Sequence, residues 1–303
     1  MPMFHTAGCG LLTLGALQTG GVHVIPSGFD PAVMLGLFEA ERGTIMLSVP
    51  TMLIRMLDHP DVSTRNLSSW RLSTLGGAPV PPELVRRAQT EFGVKVAIGF
   101  GQTEASPYIT HTYPDDPHPD WISTVGKPLP QTEVKVIDPH TGDIVPVGTI
   151  GEILTRGYCV MTGYFDEPEA TAKALDADGW LHTGDLGSMD SGGYCRIQGR
   201  LKDMIIRGGE NIYPREIEDV LFTHPAVANA SVVGIEDQEW GEVAAAFVQL
   251  KPGHTTSGEE LTAFCRQHLA FYKVPRIWRF VEQFPQTASG KIQKFILRDQ
   301  FQA

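Results

Sequence analysis

Over the first 110 residues, strand-like and helix-like segments alternate, and this constrains the fold more than any other feature. β-type runs at Val22–Ile25, Thr44–Val49, Arg71–Leu75 and Val94–Ile98 are separated by helical patterns at Pro31–Ala40, Thr51–Leu57 and Pro82–Phe92. Such alternation over short loops predicts a parallel sheet covered by helices. Ligands bind to sheets of this kind beyond the carboxyl ends of the strands. Two loops fall on that edge. The first, Gly76, Gly77, Ala78 and Pro79, is glycine-rich and expected to open a helix whose first backbone N–H groups can serve a nucleotide. The second, Gly99 to Glu104, ends in Gln102, Thr103 and Glu104, a hydroxyl and a carboxylate suited to phosphate and Mg²⁺.

Further along, the texture changes. Short β-type runs at Glu133–Asp138, Gly151–Thr155 and Tyr194–Gln198 lie between Gly, Pro and Asp turns, which predicts a small β-barrel or folded sheet. A third texture begins at Lys202: helix Pro214–Phe222, strands Ala230–Ile235 and Ala244–Leu250, and helix Glu259–Ala270. The expected fold class is therefore α/β and α+β in two domains, residues 1–201 (α/β over 1–120, β-rich over 121–201) and residues 202–303.

Bulk properties narrow the function. With 303 residues, 42% of them hydrophobic and 19% charged, the chain can bury a large core. Its net charge of −11 argues against a nucleic-acid partner held by a basic surface. Cys9, Cys159, Cys195 and Cys265 form neither a CxxC pair nor a zinc-spaced cluster, so a reducing cytoplasm is the expected compartment. Residues 7–25 are apolar, yet no Lys or Arg precedes Arg42 and glycines interrupt the run. That argues against a signal peptide or membrane span; a buried helix ending at Gly20–Gly21, then a strand, is expected instead.

The densest motif is Gly199–Glu218, GRLKDMIIRGGENIYPREIE. Gly208 and Gly209 allow a tight turn and close ligand approach, and Pro214 suits the first turn of a helix. Taken alone, this is equally a charged loop joining a strand to a helix.

The stretch closely resembles the hinge and glycine loop of the acyl-adenylate-forming enzymes, which include the acyl-CoA synthetases. MPMFHTAG at 1–8, GGAP at 76–79, GFGQTE at 99–104, GEILTRGYCVMTGY at 151–164, HTGDL at 182–186 and FPQTASGKIQK at 284–294 match further family motifs in the same order. The resemblance implies an acid, ATP and coenzyme A as substrates, Mg²⁺, and an acyl-AMP intermediate that CoA converts to a thioester. It implies that Gly76, Gly77, Ala78, Gly99, Phe100, Gly101 and Gln102 border the nucleotide, with Phe100 stacking on adenine. Thr103 would touch phosphate, Glu104 would hold Mg²⁺, and Asp185 would accept from the ribose hydroxyls, with Arg200 reaching the ribose or its phosphate. Lys202 would be the hinge of a mobile small domain, Gly208 and Gly209 would line the CoA channel, and His5 would border the acyl pocket. Lys291 would stabilise the charge of the adenylation transition state.

Several of these residues also have plain readings. His5 can satisfy a backbone carbonyl, Asp185 can sit in an ordinary turn, and Glu104 can cap a helix. Trp240 is either near the CoA tunnel or simply packed, while Trp121, Trp180 and Trp278 are expected to pack. FYKVPR at 271–276 most resembles fatty and medium-chain acyl-CoA synthetases. The family's Ser/Thr/Gly-rich phosphate loop would lie upstream of residue 1, so the chain is expected to be the C-terminal part of a ligase. A non-catalytic nucleotide- or acyl-CoA-binding remnant, or half of a split ligase needing an N-terminal partner, are the alternatives.

Overall fold

The structure is a computed structural model, and it describes residues 1–287 and 291–301. Cα packing groups Met1–Thr183 with Gly187–Ile197 in one compact unit, and Gly184–Leu186 with Gln198–Thr287 and the segment from Lys291 in a second.

The first unit opens with a π-helical stretch, Ala7–Thr13, leading into α1 (Leu14–Thr19), which stops at Gly20 in the left-handed region. Then follow α2 (Pro31–Ala40), β1 (Ile45–Ser48), α3 (Pro50–Leu57), β2 (Leu72–Gly76), α4 (Pro82–Phe92), β3 (Lys95–Phe100), β4 (Thr110–His111) and β5 (Lys127–Pro128). These strands form one sheet in the order β1-β2-β3-β4-β5, with β1, β2 and β3 mutually parallel and β4 and β5 turning back. Asp30 caps α2 by accepting the Val33 N–H at 3.0 Å, and Pro31 supplies the preset φ of a first turn. Leu35, Leu53, Met56, Leu75, Val85 and Val96 are wholly buried between helices and sheet. Burying each such side chain contributes about 1.5–3 kcal/mol.

Two expectations for the N-terminus fail. The helix forms, but Leu14 and Leu17 are 53% and 73% exposed rather than buried. Val22–Ile25 is not a strand: it pairs with no strand among the described residues, and β-propensity without a ladder partner leaves the backbone irregular.

The β-rich stretch holds β6 (Thr132–Ile137), β7 (Gly151–Gly157), α5 (Pro168–Ala174), β8 (Leu181–Met189) and β9 (Cys195–Arg200). The four strands make an open sheet in the order β6-β7-β8-β9, a folded sheet rather than a closed barrel. β8 had no counterpart among the expected strands, and HTGDL lies inside it rather than in a turn.

The second unit contains β10 (Ile205–Arg207), β11 (Glu210–Ile212), α6 (Pro214–Phe222), β12 (Val227–Asp237), β13 (Gly241–Leu250), α7 (Gly258–His268), β14 (Ile277–Phe280) and α8 (Lys294–Asp299). The long antiparallel pair β12–β13 is its spine, flanked by β10–β11 and by β14, which is parallel to β13. Ile217, Leu221, Val232, Ala246, Leu261 and Cys265 form the core beneath α6 and α7. Ser257 and Glu260 form a reciprocal capping box that starts α7. No helix among the described residues is long and apolar enough to cross a membrane.

Candidate active site

In the first unit, Gly76 ends β2 and sits in register with Gly99 of β3, so the two glycine loops are neighbours at one sheet edge. Their glycines are required by the protein itself. A Cβ on Gly76 would lie 2.7 Å from the Gly99 carbonyl oxygen, and a Cβ on Gly99 would lie 2.6 Å from the Tyr108 ring. One on Gly101 would overlap the Pro107 carbonyl. Gly77 has φ +74°, which favours glycine, and Ala78 follows it in the loop. The loop does not open α4 directly. The helix begins at Pro82 behind an N-cap Pro81, neither of which has an N–H, and Glu83 puts negative charge on its first turn. The start of α4 is therefore a poor anion site, contrary to expectation.

Phe100 is half-buried against Ala105, Ile109 and Leu181. Gln102 is extended and leads into a single 3₁₀ turn, Thr103–Ala105, that leaves Thr103 exposed. Glu104 is held at both ends: its carbonyl accepts the Met161 N–H at 2.8 Å, and its carboxylate accepts the Tyr164 hydroxyl at 2.8 Å. That bond, then burial, pushes the Tyr164 phenol above its usual range, so it stays a donor. Sequence reasoning did not single out Tyr164, although it closes the quoted motif at 151–164; the two residues lie 60 apart in the chain. Among the described residues no three His, Cys, Asp or Glu side chains group as metal ligands. One oriented carboxylate fits a Mg²⁺ that is held chiefly by substrate phosphates and water. His5 precedes the π-helical stretch, and its Nδ1 accepts the Ala7 N–H at 3.1 Å.

In the second unit, Asp185, Arg200 and Lys291 come together. Asp185 is 5% exposed, and the Arg200 Nε–H donates to its carboxylate at 3.0 Å. Burial pushes the Asp185 carboxyl up, while Arg200 and then Lys291 pull it down and Asp203 raises it. Burial also pushes the Lys291 amine below the usual lysine range; Arg200 adds to this and Asp185 opposes it. The Lys291 backbone pairs with that of Thr287. Its N–H donates to Thr287 Oγ1 at 3.2 Å, its carbonyl accepts the Thr287 N–H at 2.8 Å, and Gln286 bridges Ile292. Ala288, Ser289 and Gly290 of the same motif lie outside the described residues. Chemically, the cluster pairs an acceptor-only carboxylate with two cations of different reach.

Lys202 is exposed in a 3₁₀ turn, Leu201–Asp203, between β9 and β10. Gly208 and Gly209, with φ +57° and +88°, form the two-residue turn of the β10–β11 hairpin, the signature of a type I′ turn. A Cβ on Gly208 would come 3.0 Å from the Trp240 ring. That ring also faces the Arg207 guanidinium at 5.0 Å, so Trp240 packs on the turn while staying 37% exposed. Trp121 packs on the first core and Trp278 on the second, and the Trp180 ring has Lys135 and Arg156 over it at 4.3 and 4.5 Å from its centroid.

Comparison with known proteins identifies the family and the fold. The family described as AMP-binding enzyme matches residues 1–165, and the AMP-binding enzyme C-terminal domain matches residues 216–291. YngI of Bacillus subtilis, provisionally named an acyl-CoA synthetase, is 48% identical over 300 residues, which is 99% of this chain and 55% of YngI. The mitochondrial medium-chain acyl-CoA ligase ACSF2 of Danio rerio is 45% identical over 302 residues, 99% of this chain and 50% of that protein. Among solved structures, o-succinylbenzoate CoA synthetase (MenE) from Bacillus subtilis, in complex with its acyl-adenylate intermediate, superposes with a TM-score of 0.86. That match has 34% identity and covers 100% of this chain and 60% of that one. The chain thus spans about half the length of the curated relatives it matches. With both family matches in order along the chain and the fold shared with an adenylate-bound synthetase, the chain belongs to the AMP-binding, adenylate-forming enzymes.

Proposed function

We propose that this chain carries nucleotide- and thioester-handling parts of an ATP-dependent carboxylic acid–CoA ligase that works through an acyl-AMP intermediate. The observation that supports this most is the buried Asp185 held by Arg200 within the field of Lys291. Asp185 offers the ribose hydroxyls an acceptor-only carboxylate, fixed in place by the guanidinium. Arg200 reaches the ribose or its phosphate. The Lys291 ammonium stabilises negative charge as the carboxylate attacks the α-phosphate, and its desolvation strengthens that effect. In the other unit, Glu104, oriented by Tyr164, would hold Mg²⁺, which would neutralise phosphate charge, and Thr103 would touch phosphate. Phe100 provides an apolar face for adenine, and Gly76, Gly77, Ala78, Gly99, Gly101 and Gln102 give a narrow backbone edge beside it. Lys202 is the hinge between the two half-reactions, Gly208 and Gly209 lie along the path of CoA, and His5 borders the acyl group.

The names of the ACSF2 relatives and the FYKVPR stretch support a medium-chain or fatty acid as the substrate class. The four cysteines are free thiols, which supports a reducing compartment; the ACSF2 relatives are mitochondrial by name. Calorimetry with a non-hydrolysable acyl-sulfamoyl adenosine tests the nucleotide reading. Binding that Asp185→Asn abolishes supports it, and binding indifferent to that substitution overturns it.

A further inference from the structure

We propose that Lys294 is a positioning residue for Lys291: its ion pair with Glu218 pins the chain three residues beyond Lys291. This rests on the adenylation role given to Lys291 above. Lys294 opens α8, and its Nζ donates to Glu218 Oε1 at 2.7 Å and to the Val232 carbonyl at 3.1 Å. The same Glu218 oxygen accepts the Val232 N–H at 2.8 Å. Glu218 sits on α6 and is 6% exposed, and Val232 is wholly buried in the middle of β12. One amine thus ties α8 to both a helix and the long strand β12.

Residues between this anchor and Lys291 are also held. Ile292 bridges Gln286, the Gln293 N–H donates to the Pro285 carbonyl at 2.9 Å, and Leu297 and Phe284 pack with Phe247 and Val233. Chain reach is at most about 3.3–3.6 Å per residue, so movement at Lys294 passes to Lys291 with little slack. The two lysines therefore have separate jobs. The charge of Lys294 is neutralised by a buried carboxylate in direct contact, whereas Lys291 lies in the field of Asp185 and Arg200 at the proposed nucleotide site.

A merely structural ion pair would affect stability alone, so the test reads the environment of Lys291. Trace acetylation with acetic anhydride across pH, followed by mass spectrometry, reports the titration of each amine in the chain as it stands. In the unsubstituted chain Lys291 should titrate below ordinary lysines. In Lys294→Met it should move up toward them, and Lys294→Arg should restore it, with the fold monitored by circular dichroism. If Lys294→Met does not fold, Lys294→Met/Glu218→Gln removes both charges and keeps an acceptor for the Val232 N–H. A folded variant in which the titration of Lys291 is unmoved overturns the proposal.

In the ligase, Lys294→Met should lower the kcat of adenylation about a hundred-fold, as misplacement of a reacting group by about 1 Å does, with KM little changed. Thioester formation from supplied acyl-AMP should persist. Equal loss in both steps makes Lys294 structural and overturns the proposal. If Lys291→Ala spares adenylation, the role of Lys291 itself is wrong, an outcome separable from either result for Lys294.

Discussion

Gly99→Ala separates two reasons for a glycine at the sheet edge: room for a ligand, or room for the protein. The added Cβ would lie 2.6 Å from the Tyr108 ring, where ordinary contact starts at 3.4 Å, so the ring must retreat by about 0.8 Å. Its freedom to do so is limited, because the half-buried ring has His111 beside it at 5.5 Å. Overpacking of this kind costs about 1–3 kcal/mol. At about 2–4 °C per kcal/mol for a unit of this size, the melting temperature should fall by roughly 2–12 °C. Tyr108→Leu removes the ring atoms that the new methyl would meet. Urea unfolding of the four proteins of a double-mutant cycle should show a favourable coupling above about 1 kcal/mol between the two substitutions. Additivity within about 0.5 kcal/mol would refute the packing account. So would a Gly99→Ala protein of normal stability that has lost only nucleotide affinity; there the glycine would serve the ligand.

Three further outcomes are expected. Gly209 has φ +88° with open space around its Cα, so Gly209→Ala should cost about 1–2 kcal/mol from backbone conformation alone and Gly209→Asn less; equal costs in chemical denaturation would remove the left-handed turn as the cause. Lys291 is held below the usual lysine range by burial, so its proton, and with it adenylation, should be lost on an alkaline limb below about pH 10.4; a matching limb in thioester formation would contradict this. Lys202→Pro, which fixes φ in the exposed turn, should reduce thioester formation far more than adenylation; both steps intact in stopped assays would place the hinge elsewhere.

Where local chemistry decided the structure, the sequence was readable. α2 and α4 span the stretches expected from their helical patterns, and β1, β2 and β3 form the expected parallel sheet. Pairing decided the rest. Val22–Ile25 has a strand's composition but no ladder partner among the described residues, whereas β8 contains Gly184 and reads locally as a turn, yet is a strand between β7 and β9. Similarly, Asp185 and Arg200 are 15 residues apart and meet through the pairing of β8 with β9, while Glu104 and Tyr164 meet through the loop behind β7. Composition at either position gives no sign of such contacts. The hairpin at Gly208–Gly209 was legible as a tight turn, but its packing under Trp240 required β13 to be placed.

The two half-reactions of the Lys291→Ala ligase test the central claim most directly. Acid-dependent ATP–pyrophosphate exchange reads the first step, and CoA thioester formation from supplied acyl-AMP reads the second. Loss of one preorganised positive charge at the transition state should slow exchange by about a hundred- to a thousand-fold, with the second step nearly unchanged. Equal loss in both steps, or exchange that survives the substitution, would contradict the role assigned to Lys291 and with it the proposed chemistry.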